Sequence, residues 1–187
     1  MTRILVLYED SRADTGDFGL HEFLLGCVAD DKAVSGFDLR RHAYGVPMKG
    51  VSKLLAVLRD ADRLDNLAPG ATPILAILDE DRIRDHVGTA TSTVTEIEQM
   101  ITSQCSQPMR LTVILLERNL ESVLEAIRDC GEKERSLLEA ALAKNLNARD
   151  TLFGRVAHDP GRRSIRDCVR KKTWFDRAVV AIRNAMP

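Results

Sequence analysis

The order of apolar and polar positions divides this chain of 187 residues into alternating strand and helix segments. Three segments are predicted strands because apolar residues run through them almost without a break: residues 3–8, 73–78 and 109–116. Continuous runs of this length are typical of strands that are buried on both faces of a parallel sheet. Residues 37–43 form a weaker strand candidate, and the charged residues Arg40 and Arg41 favour an edge position for it.

Helices are predicted between these strands, where apolar residues recur at helical spacing. The first stripe has the spacing i, i+3, i+4, i+7 and i+8: Leu20, Phe23, Leu24, Cys27 and Val28. Comparable stripes predict helices over about residues 51–65, 94–101 and 120–131. Strand and helix therefore alternate four times, which predicts an α/β fold with a mostly parallel sheet sandwiched by helices.

The pattern changes after residue 131, where only helical stripes follow, around Leu137, Leu152 and Phe175. We therefore predict an α/β domain over residues 1–131 and a basic helical extension over residues 132–187 that packs on it.

Charge is divided unevenly along the chain. Residues 1–143 carry 16 basic and 24 acidic side chains, whereas residues 144–187 carry 11 basic and 4 acidic ones, although the whole chain has a net charge of −1. This asymmetry is compatible with nucleic acid or another anionic partner, and equally with basic helices that dock on an acidic body.

The composition is that of an ordinary globular chain of one domain with a small appendage. No apolar run approaches the length that crosses a bilayer and the first residues do not form a signal peptide, so we expect a cytoplasmic protein without membrane contact. The four cysteines are scattered, which favours reduced thiols over a disulfide scaffold or a zinc site. Aromatic residues make up only 4% of the chain, which argues against a base-stacking surface.

Acidic residues follow three of the predicted strands. Glu9 ends the first, Asp79-Glu80-Asp81 ends the strand at residues 73–78, and Glu117 ends the last. Because the carboxyl ends of parallel strands lie at one edge of the sheet, we expect these carboxylates to approach one another. Mg²⁺ is commonly held by one or two carboxylates together with water and phosphate oxygens. The alternative is that these acids are solvated loop residues or helix caps.

The order and spacing of these residues resemble a TOPRIM-type domain. The resemblance rests on Glu9, on the Asp-x-Asp of residues 79–81, and on the late strand that ends in Glu117, and it covers roughly residues 3–130. It is nearest to small stand-alone bacterial TOPRIM-like proteins found beside ATPases, which also carry a basic helical carboxyl-terminal segment. The chain departs from that family at Asp10, where the family usually has glycine after its first glutamate.

The resemblance implies a TOPRIM or Rossmann-like sheet and Mg²⁺-dependent or Mn²⁺-dependent phosphodiester hydrolysis of DNA or RNA. Asp79 and Asp81 would hold the metal, and Glu117 would be a ligand of a second metal ion. Glu9 would be the general acid or base, or a further ligand. Three cations are candidates for phosphate contacts: Lys49, Lys53 and Arg82. The resemblance also implies a nuclease of bacterial anti-phage defence that works with an ATPase partner.

The main alternative is a catalytically inactive TOPRIM-like subunit that regulates or joins a larger complex. A receiver-type signalling domain is disfavoured because the late strand ends in Glu117-Arg118 and not in lysine. Neither a P-loop nor a dinucleotide-binding glycine motif occurs, and no histidine pairs with a plausible nucleophile. The sequence is compatible with a homo-oligomer.

Overall fold

The computed structural model describes residues 4–9, 19–88 and 91–186. Arg3, the first residue of the first predicted strand, and Asp10, where the chain departs from the TOPRIM pattern, lie outside these ranges. The strands are β1 (Ile4–Tyr8), β2 (Ala43–Pro47), β3 (Ile74–Asp79) and β4 (Leu111–Leu116). The helices are α1 (Gly19–Lys32), α2 (Gly36–Arg40), α3 (Val51–Arg59), α4 (Ala61–Leu67), α5 (Glu80–Val87), α6 (Val94–Ser103), α7 (Leu120–Asp129), α8 (Arg135–Leu142), α9 (Leu146–His158), α10 (Arg163–Val169) and α11 (Thr173–Ala185). Among the helices of the described residues, none is both long and apolar enough to cross a membrane.

The four strands form one sheet in the order β2-β1-β3-β4, and every neighbouring pair is parallel. Leu7 of β1 lies beside Ala76 of β3, and Ala76 lies beside Val113 of β4. The predicted α/β fold with helices around a parallel sheet is confirmed. Since all strands run in one direction, their carboxyl ends lie at a single edge, which we call the carboxyl edge of the sheet.

Helices cover both faces of the sheet, which explains why the strands read as unbroken apolar runs. On one face, side chains such as Leu5 and Leu78 pack against α3, α4, α5 and α6. On the other face, side chains such as Val6 and Ile77 pack against α1, α7 and the helices that follow α7. Successive strand residues therefore enter two different cores, and neither face needs polar positions.

The carboxyl-terminal helices share their core with the sheet. Phe23 of α1 packs between the rings of Phe153 in α9 and Phe175 in α11, with centroid separations of 5.9 Å and 4.9 Å. All three rings belong to the core that also contains Val6 and Ile77 of the sheet. The segment predicted as an extension thus completes the layer begun by α1 and α7.

Arginines of this segment pair with acids of the rest of the chain. Among the residues that the structure describes, five such ion pairs occur: Arg149–Glu121, Arg166–Asp30, Arg170–Asp31, Arg177–Glu98 and Arg183–Asp31. These arginines therefore follow the second interpretation of the charge asymmetry, in which basic helices dock on an acidic body.

The second strand lies later in the chain than the sequence predicted. Residues Gly36–Arg40 form α2, because the side chain of Ser35 accepts a hydrogen bond from the backbone N–H of Asp38 and caps the helix. The strand follows at Ala43–Pro47, at the edge of the sheet. Its glycine and proline resemble a loop in sequence, but an edge strand accommodates proline.

The predicted helix over residues 51–65 is two helices. Asp60 separates α3 from α4, and its carboxylate accepts a hydrogen bond from the backbone N–H of Arg63. Asp60 is thus the C-cap of α3 and the N-cap of α4.

The expectation of four reduced cysteines is wrong. Cys130, at the end of α7, forms a disulfide with Cys168 in α10. The pairing could not be predicted from their spacing of 38 residues, because it is the packing of α10 against α7 that brings the two cysteines together. Cys27 and Cys105 are free and buried.

Gly26 lies where α1 crosses α9, and a Cβ there would be 2.7 Å from the carbonyl oxygen of Ala157. Because backbone atoms of a helix cannot move independently, Gly26→Ala should lower the free energy of unfolding by about 1–3 kcal/mol in urea denaturation. Gly154→Ala on α9 is the matched control, since its Cβ meets nothing within 4 Å. It should be neutral or stabilise by about 1 kcal/mol, and equal effects of both changes would contradict the close crossing.

Thiol titration of the unreduced, urea-unfolded chain should detect the two free cysteines, Cys27 and Cys105. Detection of all four thiols would show that the disulfide does not form. Cys168→Ser should lower the free energy of unfolding by about 2–4 kcal/mol, because the crosslink removes conformational freedom from the unfolded chain.

Candidate functional site

The ends of the two central strands bring Glu9 and Asp79 together. The backbone N–H of Asp79 donates to Oε2 of Glu9 at 2.9 Å, and the backbone N–H of Glu9 donates to the carbonyl oxygen of Ile77 at 3.1 Å. Glu9 is only 3% exposed, and the side chain of Asp79 is 16% exposed. Glu9 therefore turns inward, toward the end of β3. We call Glu9 and Asp79 the carboxylate pair.

Helix α5 begins immediately after β3, so Glu80 and Asp81 are helical and do not continue the strand. Asp79 is the N-cap, and Glu80 and Asp81 lie in the first turn. Acids in a first turn interact favourably with the helix dipole. Because the chain is helical from Glu80, Asp79 and Asp81 do not share a side by strand alternation. The oxygens of Asp81 accept from the backbone N–H of Arg82 at 2.7 Å and from Nδ2 of Asn119 at 2.9 Å.

Arg82 approaches both members of the carboxylate pair. Its Nη1 lies 3.4 Å from Oε1 of Glu9, and its Nε lies 3.7 Å from Oδ2 of Asp79. The side chain is 59% exposed. A long, exposed side chain of this kind can leave the carboxylates without unpacking the core.

Burial raises the pKa values of both acids. Burial raises the pKa of Glu9, opposed by the hydrogen bond from Asp79 and the charge of Arg82. Burial and then the charge of Glu9 raise the pKa of Asp79 to about 8, with Arg82 opposing and Asp81 and Glu121 adding to the rise. The fully ionised pair would carry more negative charge than Arg82 neutralises, so the pair favours a proton or a cation.

A cavity of about 40 Å³ opens beside the carboxylate pair. Its largely apolar wall comes from β1, β3 and β4 and from the starts of α1 and α7: Tyr8, Leu20, Ile77, Leu116 and Leu120. Four charged side chains face it: Glu9, Asp79, Arg82 and Arg149. A few charged groups on an otherwise apolar wall are typical of a small-ligand site.

The other predicted site residues lie outside this cavity. Oε2 of Glu117 accepts a hydrogen bond from Nε1 of Trp174 at 2.8 Å, and Glu117 is exposed. Lys49 follows β2 at the same edge of the sheet and is exposed, while Lys53 is exposed on α3. Among the predicted cations, Arg82 is the one that lines the cavity.

The donor set limits the kind of metal ion that fits. Within the described ranges, no three Asp, Glu, His or Cys side chains converge in a way that could hold a metal ion. The carboxylate pair still supplies two oxygen ligands, and Mg²⁺ usually needs only one or two carboxylates with water and phosphate oxygens. The residues therefore fit a Mg²⁺ or Mn²⁺ ion that is shared with a substrate, and they do not form an enclosed protein cage.

Arg149 is a site residue that the sequence reasoning missed. It belongs to the predicted extension, yet it lines the cavity and is 8% exposed. Its spacing from Leu152, Phe153 and Val156 is i, i+3, i+4 and i+7, so it lies on the apolar face of α9. An arginine on the apolar face of a predicted helix was the feature of the sequence that could have identified it as a site residue.

Comparison with protein-family models, with curated proteins and with solved structures gave no match to this chain. The TOPRIM resemblance therefore continues to rest on Glu9, on Asp79 and Asp81, and on Glu117. What the resemblance implies about activity, metal and partners stays a prediction.

Stability should depend on pH through Asp79. Its pKa is about 8 in the folded chain and about 3.9 in an unfolded one, so between these values the folded state binds more protons. The free energy of unfolding contributed by Asp79 is thus fully present below about pH 4 and is lost as pH rises to 8. In EDTA, Asp79→Asn should stabilise the protein by about 2–4 kcal/mol more at pH 8 than at pH 4.

Urea denaturation at both pH values measures this difference. Asp85→Asn, an exposed aspartate on the same helix, is the control and should change stability equally at both. If Asp79→Asn, like the control, changes the free energy of unfolding equally at pH 4 and pH 8, the pKa of Asp79 is not raised.

Proposed function

We propose that this protein is a Mg²⁺-dependent or Mn²⁺-dependent phosphodiester hydrolase, a nuclease of DNA or RNA, in which Glu9 and Asp79 hold the cation. The observation that carries the proposal is the carboxylate pair itself, buried at the carboxyl edge of a parallel sheet and joined by the N–H of Asp79. Open α/β sheets bind their ligands at this edge. The raised pKa of Asp79 supports the proposal, since an opposite charge there would relieve the repulsion.

Each residue of the site has a role in this proposal. A divalent cation bound here would polarise the phosphate and lower the pKa of a bound water. Glu9 presents its oxygens in a fixed direction because the backbone N–H of Asp79 donates to Oε2, and Asp79 would hold the cation in its ionised form. Arg82 would then be available to a phosphate oxygen, which its exposure permits.

Asp81 and Glu117 do not contact the cation in this proposal. Neither side chain lines the cavity, and each accepts a hydrogen bond from another side chain, Asp81 from Asn119 and Glu117 from Trp174. Asp81 acts on the site through its negative charge, which raises the pKa values of both members of the carboxylate pair. Lys49 lies at the same edge of the sheet, where it would add positive potential toward a nucleic acid backbone.

An ATPase partner and a role in bacterial anti-phage defence belong to the proposal through the TOPRIM resemblance alone, and a cytoplasmic location belongs to it through the sequence pattern alone. No contact in the described part of the chain bears on them.

A second candidate function is an inactive interaction subunit. The observation in its favour is that Arg82 lies near both carboxylates while Asp81 and Glu117 have protein partners of their own. In that case the acids would be structural, and the protein would act through its surface.

A cleavage assay tests the two candidates against each other. Purified protein with Mg²⁺ or Mn²⁺ should nick supercoiled plasmid DNA or shorten single-stranded RNA, and EDTA should stop the reaction. Glu9→Gln and Asp79→Asn should each reduce the rate by at least about a hundredfold, because each removes a ligand of the cation. Asp85→Asn should leave the rate unchanged.

Two results would count against the nuclease. One is the absence of cation-dependent cleavage of any of these substrates by the wild type. The other is cleavage that Asp79→Asn and Asp85→Asn leave equally intact, which would identify a contaminating enzyme and favour the interaction subunit.

A further inference from the structure

Arg149 places a buried guanidinium beside the carboxylate pair. It lies near the start of α9, where the side chain of Asn145 accepts from the backbone N–H of Ala148 and caps the helix. Its Nε donates to the carbonyl oxygen of Ala141 at 2.9 Å, and its Nη2 donates to Oε1 of Glu121 at 2.5 Å. Two different helices, α8 and α7, therefore fix the plane of the guanidinium.

These two contacts leave part of the guanidinium without a partner. A guanidinium has five N–H donors, and Nη1 makes no hydrogen bond to any described residue. Among the described residues, Nη1 is not a buried atom that lacks a hydrogen-bond partner. Since it has no partner among these residues, it must be accessible at the surface. Arg149 also lines the cavity. Nη1 is therefore the group of this side chain that is available to a ligand there.

The size of the cavity limits what Nη1 can bind. The cavity of about 40 Å³ is small and suits a compact anionic group such as one phosphate. Leu20, Leu116 and Leu120 give the wall no hydrogen-bonding side chains. Arg149 and Arg82 are the cations of the lining, and arginine is well suited to phosphate oxygens.

We propose that this cavity binds one phosphate group of a nucleic acid backbone, with Arg149 donating from Nη1 to a phosphate oxygen. This inference rests on the proposed function and adds to it a substrate-binding residue and a limit on the substrate. The nucleosides on either side of the phosphate stay outside the cavity. Because Glu9 lines the cavity and Glu121 contacts Arg149, both add negative charge there, and the phosphate should bind more tightly when Mg²⁺ is present.

Binding of inorganic phosphate to the full chain tests the inference without relying on cleavage. Calorimetry in Mg²⁺ should show phosphate binding to the wild type and at least tenfold weaker binding to Arg149→Met, because a charge-assisted hydrogen bond is lost. Arg155→Met is the matched control on α9, since Arg155 is half-exposed and pairs with Glu134. It should bind phosphate as the wild type does.

Glu121→Gln separates substrate binding from support of the fold. This change weakens the same ion pair that Arg149→Met removes, but it keeps the guanidinium and removes a negative charge. A phosphate-binding role predicts that Glu121→Gln binds phosphate at least as tightly as the wild type. A purely structural role predicts that both variants lose binding together. If Arg149→Met does not fold, Arg149→Lys takes its place and should also bind phosphate more weakly.

The outcomes keep this inference distinct from the proposed function. Unchanged phosphate affinity in Arg149→Met, or no phosphate binding by the wild type, would overturn the inference even if the wild type cleaves nucleic acid. Phosphate binding that depends on Arg149 in a protein that cleaves nothing would overturn the nuclease and keep the phosphate site. If both hold, the KM for a short oligonucleotide should rise at least tenfold in Arg149→Met.

Discussion

The hydrogen bond from the backbone N–H of Asp79 to Glu9 is the interaction on which the rest of the site depends. It joins the ends of β1 and β3 at the point where β3 gives way to α5. It also holds the two carboxylates together in a largely buried place, where burial raises the pKa of both and the charge of Glu9 raises the pKa of Asp79 further. The first turn of α5 then delivers Arg82 to the same carboxylates. The hydrogen bond between Asp79 and Glu9 thus sets both the positions of the charged groups at the carboxyl edge and their electrostatic interactions.

The carboxyl-terminal helices complete this site from the other side. Gly26 allows α1 and α9 to approach closely, and α9 carries Arg149 to the cavity. The ion pair of Arg149 with Glu121 links α9 to the start of α7, which directly follows β4 and its loop. A segment that the charge balance marked as a basic extension therefore supplies both the outer layer of one core and a cation of the site.

The sequence predicted those features that depend on local patterns. The apolar runs at β1, β3 and β4 and the stripe of α1 follow from burial alone, and parallel strands then bring Glu9 near Asp79. Features that depend on distant packing were missed. The edge strand β2 carries little apolar signal, and the acids that cap α5 resemble a loop. Arg149 and the pairing of Cys130 with Cys168 become visible only when the last four helices are placed on the sheet.

Calorimetric titration of the chain with Mn²⁺ tests the central claim, that Glu9 and Asp79 form a divalent-cation site, most directly. At pH 7, in buffers that differ in protonation enthalpy, the wild type should bind Mn²⁺ and release about one proton per ion, since Asp79 holds a proton until the cation replaces it. Asp79→Asn should lose both the binding and the proton release. Equal Mn²⁺ binding by the wild type and Asp79→Asn, or no binding by the wild type, would contradict the cation site.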